Sequence, residues 1–206
     1  MLKIGVLGST KGTDLQAVID ALESKKLKNV EIAVVVSDKE DAFILERAKK
    51  YGIKTAVVRK KDYSPDYEFN KALMQALKEN GAELILLIGY MKIVKEPLLS
   101  AYPNRMMNIH PSLLPKYGGG MDMNVHEDVL KNKEKETGCT LHFVTADLDS
   151  GPIIMQKKVK VEKNDTVDSL KGKVQKAEQE VILKAIELYR DGKIKVNPGR
   201  VNIDER

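Results

Sequence analysis

Apolar runs alternate with segments of helical periodicity through the first half of the chain. Strands are expected at residues 3–7, 32–36, 55–58 and 84–88, and helices at residues 14–24, 42–51 and 66–79. Gly52 and Gly81 follow two of these helices, where glycine commonly ends a helix. Since helical crossovers join parallel strands, this pattern predicts an α/β fold: a doubly wound, mostly parallel, Rossmann-like sheet with helices on both faces.

The second half of the sequence has a different pattern. We expect a fifth strand at residues 106–109, a helix at 124–131, strands at 140–144 and 153–161, and a last helix at 166–190. Pro111, Pro115 and the glycines at 118–120 predict a long irregular loop after the fifth strand. Apolar residues three to four positions apart give the last helix one buried face. With no internal repeat or linker in the sequence, we expect a single domain over residues 1–206.

Composition narrows the class of protein. The chain has 206 residues, of which 42% are hydrophobic and 32% charged, so disorder is not expected. No apolar run approaches the ~18 residues of a membrane span, and the apolar start of the chain is short enough to be a strand. A single cysteine, Cys139, excludes an internal disulfide and fits a reducing compartment. A cytoplasmic protein without a membrane partner is therefore expected.

The charge distribution bears on the class of partner. Thirty-five basic and 30 acidic residues give a net charge of +5, spread along the chain. Nucleic-acid binding usually combines clustered basic residues with stacking aromatic side chains, yet aromatic residues are only 5% and tryptophan is absent. The sequence therefore favours small anionic partners over nucleic acid.

The loop after the first strand is a candidate anion site. Residues 8–14 read Gly-Ser-Thr-Lys-Gly-Thr-Asp and lead into a helix, whose first N–H groups favour an anion. The loop matches neither the dinucleotide fingerprint nor the Walker pattern. A phosphate site and a purely structural turn both remain open.

Asn108 and His110 form the most informative pair. Side chains alternate along a strand, so these two are expected on one face, with Ile109 turned into the core. An amide beside an imidazole can stabilise one oxyanion, and the imidazole can also move protons. Such an imidazole needs a carboxylate to orient it, and Asp147 and Asp149 are both candidates.

All three histidines lie in one stretch of the sequence. His110, His126 and His142 are separated by even intervals of sixteen residues, which carry no metal-ligand signature. A three-histidine zinc site is thus the weaker interpretation, and no metal is expected. His126 is interpreted as a packing histidine on a helix, and His142 faces away from its strand neighbours Leu141 and Phe143.

Several segments, in order, resemble the folate-dependent formyltransferases. They are Asn108–Tyr117 (Asn-Ile-His-Pro-Ser-Leu-Leu-Pro-Lys-Tyr), residues 14–17, 89–93 and 142–145, and Leu148–Pro152. The pattern extends over roughly residues 3–190 and is most similar to the branch that formylates the primary amine of glycinamide ribonucleotide (GAR) in purine synthesis. The resemblance implies transfer of a formyl group from N10-formyltetrahydrofolate, the co-substrate, with no metal.

Residue roles follow from the resemblance. Asn108 and His110 are expected to stabilise the oxyanion, and Asp149 to support His110 and assist proton transfer. The GAR-binding residues implied are Gly12, Thr13, Asp14, Gln175 and Glu178. The folate-binding residues implied are Leu87, Met91, Lys92, Ile93, Val94, Leu141, His142, Val144 and Thr145. The family often has a cis proline in this loop, which points to the Leu114–Pro115 bond.

Three departures from the family pattern concern the acceptor. Asp14 stands where an asparagine is common, which is favourable only if it caps its helix and points away from the phosphate. Residues 118–123 replace a common Pro-Gly-Leu-His run. Pro65-Asp66 stands where some members have a phosphate-binding arginine, for which Arg59 or Lys60 are substitutes.

Three alternative functions remain open. The first is a transferase for another amine, such as an amino-sugar nucleotide, the second is a formyltetrahydrofolate hydrolase and the third, more remote, is a non-catalytic nucleotide-binding module. A homodimer also remains open.

Overall fold

A computed structural model describes residues 1–119, 124–197 and 200–204. The helices are α1 (Thr13–Glu23), α2 (Phe43–Lys50), α3 (Asp66–Glu79), α4 (Leu98–Ala101), α5 (Val125–Lys131) and α6 (Val167–Arg190). The strands are β1 (Leu2–Leu7), β2 (Val30–Ser37), β3 (Thr55–Val57), β4 (Leu84–Leu87), β5 (Met106–His110), β6 (Glu136–Phe143), β7 (Ile153–Lys160), β8 (Ile194–Asn197) and β9 (Arg200–Ile203). A 3-10 turn covers Lys60–Asp62.

The main sheet has seven strands in the order β3-β2-β1-β4-β5-β6-β7. β1 pairs in parallel with β2 and β4, β2 with β3, and β4 with β5, whereas β6 and β7 are antiparallel. The α/β class and the mostly parallel sheet predicted from the sequence are confirmed. By contacts, the chain divides into two compact units, residues 1–108 and 109–206, so the single domain stays a prediction.

In the first unit the sheet is covered on both faces. Every residue of β4 is buried, as expected for a parallel strand between two helical layers. The chain moves outward from β1 to β3 and then returns to β4 beside β1. Because parallel crossovers are right-handed, this reversal places α3 on the face opposite α1 and α2. The carboxyl ends of β1, β2 and β4 therefore lie along one edge, where doubly wound sheets bind ligands.

In the second unit, α6 packs against β6 and β7. Its predicted apolar face is buried, and Thr166 and Ser169 form a reciprocal capping box at its start. A separate hairpin of β8 and β9 follows. This hairpin and α4 were not predicted, because a four-residue element is too short to show a clear period. β6 begins at Glu136, four residues before the predicted Thr140.

Candidate active site

His110 is the last residue of β5 and lies beside Asp149. The Nδ1 atom of His110 is 3.4 Å from Oδ2 of Asp149, and both side chains are more than nine-tenths buried. Asp147 is exposed instead, so the carboxylate beside the imidazole is Asp149. Of the two candidate acids in the sequence, the structure thus brings Asp149 to His110.

The backbone around Asp149 directs its side chain inward. Asp149 has a left-handed φ of 52°, and the Gly119 N–H donates to its Oδ2 at 3.0 Å. Two residues later, a Cβ on Gly151 would collide with the carbonyl oxygen of Phe143. Glycine at 151 therefore lets the segment after β6 approach the end of that strand closely enough to present Asp149.

His142 is a second imidazole at the same carboxylate. Its Nε2 atom lies 3.6 Å from Oδ1 of Asp149, and its Nδ1 donates to the Phe143 carbonyl at 2.9 Å. The resemblance implied only a folate-binding role for His142. The sequence signal that could have found this arrangement is the grouping of the histidines in one stretch, of which His110 and His142 reach the same carboxylate.

The hydrogen bonds fix where each ring carries a proton. A carbonyl only accepts, so His110 donates through Nε2 to the Tyr117 carbonyl at 2.9 Å. The nitrogen of each ring that faces Asp149 therefore bears a proton only when that ring is charged. Nδ1 of His110 is consequently the position at which a proton can be gained, held against the carboxylate and released.

Burial and charge act in opposite directions on these groups. Burial lowers the pKa of His110 below its ordinary value, although Asp149 and the Tyr117 carbonyl oppose the shift and His142 adds to it. Burial raises the pKa of Asp149, but the His142 ring, the Gly119 N–H and the charge of His110 outweigh it and hold that pKa below its ordinary value. Asp149 is thus an anion at neutral pH, and its charge opposes the burial that favours the neutral His110 ring, which makes this imidazole the candidate general acid–base group.

Asn108 lies two residues before His110 on β5, and alternation along the strand places the two side chains on one face. Asn108 is half-buried. Ile109 is also only half-buried, so the expectation that it enters the core is wrong.

Thr140, on β6, anchors the loop that follows His110. Its buried hydroxyl accepts from the Leu114 N–H at 3.0 Å and donates to the Ser112 carbonyl at 2.7 Å. Gln156 of β7 donates to the same hydroxyl and to the Leu114 carbonyl. The Leu114–Pro115 bond is cis, as the resemblance implied. Thr140 could not be identified from the sequence, because a strand threonine carries no specific signal.

The loop after β1 ends at Gly12, the N-cap of α1, with a left-handed φ of 63°. A Cβ on Gly12 would collide with Ile44 of α2, so the loop packs closely against that helix. Asp14 is the second residue of α1 and is buried, so the condition that would favour it beside a phosphate, that it caps the helix, is not met. Glycine occupies the cap because only it fits both the conformation and the space.

Three loops of the first unit meet at Ser9. Its hydroxyl donates to the buried carboxylate of Asp38, after β2, and accepts from the Met91 N–H, after β4, at 2.9 Å. Lys92 Nζ lies 3.9 Å from the other oxygen of Asp38. This arrangement fixes the start of the segment that the resemblance assigns to folate.

The two proposed substitutes for the phosphate-binding arginine are paired with carboxylates. Arg59 bonds Asp62 and Glu40, and Lys60 pairs with Asp66. Both line an open groove of about 590 Å³ with six other charged residues: Asp38, Lys39, Glu40, Asp41, Lys61 and Lys92. Neither cation is placed on the phosphate loop by a contact of the described structure.

The other folate and GAR candidates differ in exposure. Met91 and Ile93 are exposed large apolar residues, at 36% and 45%, whereas Leu87 and Val94 are buried. In the second unit, Leu141 and His142 are buried, Val144 is half-buried and Thr145 is exposed. On α6, Gln175 is half-buried and Glu178 is buried, so Glu178 does not lie on a solvated helix face.

His126, on α5, is a buried packing histidine, as predicted. Burial and then the charge of Lys171 lower its pKa below the ordinary value.

Among the described residues, no group of three or more His, Cys, Asp or Glu side chains is arranged to hold a metal ion. Within the same ranges, no helix is both long and apolar enough to cross a membrane.

Comparison with known proteins identifies the family. The model of the formyl transferase family matches residues 2–186. The chain belongs to the formyl transferase family. Phosphoribosylglycinamide formyltransferase of Escherichia coli K12 is 36% identical to this formyl transferase over 203 residues, which are 98% of this chain and 94% of that protein. The trifunctional purine biosynthetic protein adenosine-3 of Chironomus tentans is 39% identical over 95% of this chain, which spans only 14% of that protein.

Solved structures of related proteins superpose closely on this formyl transferase. Glycinamide ribonucleotide transformylase 1 from Symbiobacterium toebii superposes with a TM-score of 0.93 at 40% identity, covering 98% of this chain and 94% of that one. Phosphoribosylglycinamide formyltransferase from Coxiella burnetii superposes with a TM-score of 0.92 at 36% identity, covering 100% and 94%. The sequence departs from the family pattern at residues 118–123. Of these, residues 120–123 lie outside the described structure.

Proposed function

We propose that this formyl transferase moves a formyl group from N10-formyltetrahydrofolate to the primary amine of GAR, a step of purine biosynthesis. The observation that carries the proposal is the buried contact between His110 and Asp149 at the end of β5. Relatives named for this reaction cover nearly the whole chain, which supports GAR as the acceptor.

The reaction forms one bond and breaks another at the formyl carbon. The free amine of GAR attacks that carbon, and the carbonyl oxygen gains negative charge. The Asn108 amide and the charged ring of His110 donate to this oxyanion, and a donor in such a position contributes about 2.7–4 kcal/mol to lowering the barrier. The bond from the carbon to N10 of the folate then breaks, N10 takes up a proton, and the former amine loses one.

Asp149 acts on His110 in this scheme. Its charge favours the protonated ring, whose Nδ1–H then serves the oxyanion. Nε2 is engaged with the Tyr117 carbonyl at 2.9 Å, so Nδ1, which lies 3.4 Å from Asp149, is the nitrogen whose proton a substrate oxygen can share without a change in ring orientation. We assign proton movement from the attacking amine to Asp149 through a water molecule.

The GAR contacts rest on position and chemistry. The first N–H groups of α1, from Thr13 onward, follow the bare N-cap Gly12 and suit a phosphate. Asp14 in the same turn opposes that phosphate by its charge. Gln175 and Glu178 on α6 offer an amide and a carboxylate to the polar part of GAR, as the resemblance implies.

The folate contacts combine exposed apolar side chains with backbone groups. Met91 and Ile93 present apolar surface to the flat pterin, and Lys92 offers a cation to the anionic end of the folate. From the second unit we assign the backbone of residues 141–145. No metal takes part in this scheme, the partners are these small molecules rather than nucleic acid or membrane, and the protein works in the cytoplasm.

An assay with two acceptors and a sample without an acceptor tests the proposal. Purified protein is given N10-formyltetrahydrofolate with GAR, with an amino-sugar nucleotide, or alone, and formylated product and free formate are measured. We expect formyl-GAR at the highest rate, unchanged by a chelator. Preference for the amino sugar or formate release without an acceptor would identify the transferase or hydrolase alternative. No turnover with any of them would leave a binding module, and loss of activity with the chelator would restore the metal interpretation.

A further inference from the structure

The outer end of the active-site loop is tied to the turn between α5 and β6. The Tyr117 hydroxyl donates to Oε1 of Glu134 at 3.2 Å and accepts from the Asn132 side-chain amide at 2.9 Å. Lys116 Nζ lies 2.9 Å from the same Glu134 oxygen. We call Asn132, Glu134, Lys116 and the Tyr117 hydroxyl the loop latch.

Tyr117 connects the loop latch to the catalytic histidine. Its hydroxyl belongs to the latch, while its carbonyl accepts from Nε2 of His110 at 2.9 Å. Tyr117 has a left-handed φ of 58°, a conformation that a bulky residue keeps only when its surroundings hold it. The direction of the Tyr117 carbonyl therefore depends on contacts that hold its side chain from outside.

We propose that Glu134 and Asn132 are positioning residues that, through Tyr117, set the orientation of the His110 ring and keep its Nδ1 toward Asp149. Neither residue touches the reacting atoms in the scheme above. The catalytic consequence rests on the proposed function, whereas the orientation of His110 does not.

The charges in the loop latch keep Glu134 ionised at neutral pH. The hydrogen bond from Lys116 lowers the pKa of Glu134, with the charge of Lys116 and the Tyr117 hydroxyl acting in the same direction and burial against it. Glu134 is therefore an anion that accepts from both neighbours. The Lys116 ammonium is largely exposed, so this ion pair adds little to overall stability.

The groups that face His110 determine how its pKa would change if the Tyr117 carbonyl moved away from the ring. Asp149 and the Tyr117 carbonyl favour the charged ring, while burial and His142 favour the neutral one. If the latch no longer holds Tyr117, one of the two groups that favour the charged ring is weakened and the others remain. The pKa of His110 then falls, and the ring loses its fixed direction.

Two latch variants and one matched control test this proposal. Tyr117→Phe removes the hydroxyl but keeps the ring and the carbonyl, and Glu134→Gln keeps the size of the side chain. Glu136→Gln is the control, because Glu136 forms an exposed ion pair with Lys158 on β7, at 2.9 Å. His110 is titrated by NMR without substrate, its signal being assigned by its absence in His110→Asn. Formyl transfer kinetics and circular dichroism are measured on the same samples.

We expect the His110 midpoint to fall by about 0.5 pH units or more in both latch variants, since a hydrogen bond to a charged group is weakened. The kcat should fall about 3- to 10-fold with KM for folate nearly unchanged, and Glu136→Gln should match the wild type. An unchanged His110 titration in either latch variant, or an equal shift in Glu136→Gln, would overturn the proposal. Because the titration needs no substrate, it decides the matter even if GAR proves not to be the acceptor.

Discussion

Nδ1 of His110 and Oδ2 of Asp149 lie 3.4 Å apart although 38 residues separate them in the sequence. Two backbone features produce this contact. β5 ends at His110, and the segment after β6 returns to it through the left-handed Asp149 and the closely packed Gly151. The pair thus depends on the path of the chain as well as on the two side chains.

Replacement of Asp149 by asparagine should leave the fold intact and reduce turnover. The amide keeps the shape of the side chain but removes the charge that favours protonated His110, so we expect kcat to fall by about 100-fold or more. Steady-state kinetics measure the effect, and Asp147→Asn, at an exposed neighbour, is the control. Equal activity of the two variants would show that Asp149 has no role in turnover.

Asn108→Ala tests the second oxyanion donor. Removal of one such donor costs about 2.7–4 kcal/mol of transition-state stabilisation, which corresponds to about a 10²- to 10³-fold lower kcat. KM for folate should change little, because the contact strengthens only as charge develops. If KM rises while kcat is kept, Asn108 binds substrate and is not an oxyanion donor.

Asp14→Asn should improve the binding of GAR. The carboxylate in the first turn of α1 repels the phosphate assigned to the same helix end, and asparagine is the residue common in the family. We expect KM for GAR to fall about 3- to 10-fold, with less effect at high salt because charge interactions are screened. A higher KM would mean that the Asp14 carboxylate itself accepts from the substrate.

The sequence was sufficient to predict the mostly parallel sheet. Continuous apolar strands such as Leu84–Leu87 and helices with a regular apolar face can be recognised from neighbouring positions in the sequence alone. It was also sufficient to predict that Asn108 and His110 share one face, although the predicted strand ended at residue 109 and β5 ends at His110. The choice between Asp147 and Asp149 came from the resemblance, since both lie in the same short bend. The second imidazole at Asp149 and the Tyr117 carbonyl bonded to His110 could not be predicted, because both depend on how distant loops meet in three dimensions.

Acidification should destabilise the fold through the buried His126. Burial and Lys171 lower the pKa of His126, so the unfolded chain binds this proton more readily than the folded chain. This contribution to stability is present above pH ~6.5, the ordinary histidine pKa, and is lost as pH falls through the lower folded value. Carboxylates act in a separate window, as with Asp66, whose pKa the hydrogen bonds from Lys60 and Lys95 lower to about 2.

His126→Gln isolates the contribution of that one histidine. Denaturant unfolding at pH 8 to pH 5 should show a smaller loss of stability on acidification in the variant, with a slope lower by at most about 1.4 kcal/mol per pH unit. His110 titrates in both proteins and does not obscure the difference. Parallel curves for the two proteins would contradict a lowered pKa for His126.

Gly12→Ala should destabilise the protein more than Gly52→Ala, a change that strains only the backbone. Gly12 and Gly52 both have left-handed φ values, 63° and 67°, and an alanine in that conformation costs about 1–2 kcal/mol. A Cβ at 52 meets nothing within 4 Å, whereas a Cβ at 12 would collide with Ile44. We therefore expect Gly52→Ala to lose about 1 kcal/mol of unfolding free energy and Gly12→Ala at least about 1 kcal/mol more. Gly12→Ala alone should also raise KM for GAR, because the collision shifts the N–H groups assigned to the phosphate. Equal losses in the two variants, measured by denaturant unfolding, would show that the loop can move away from α2 without cost.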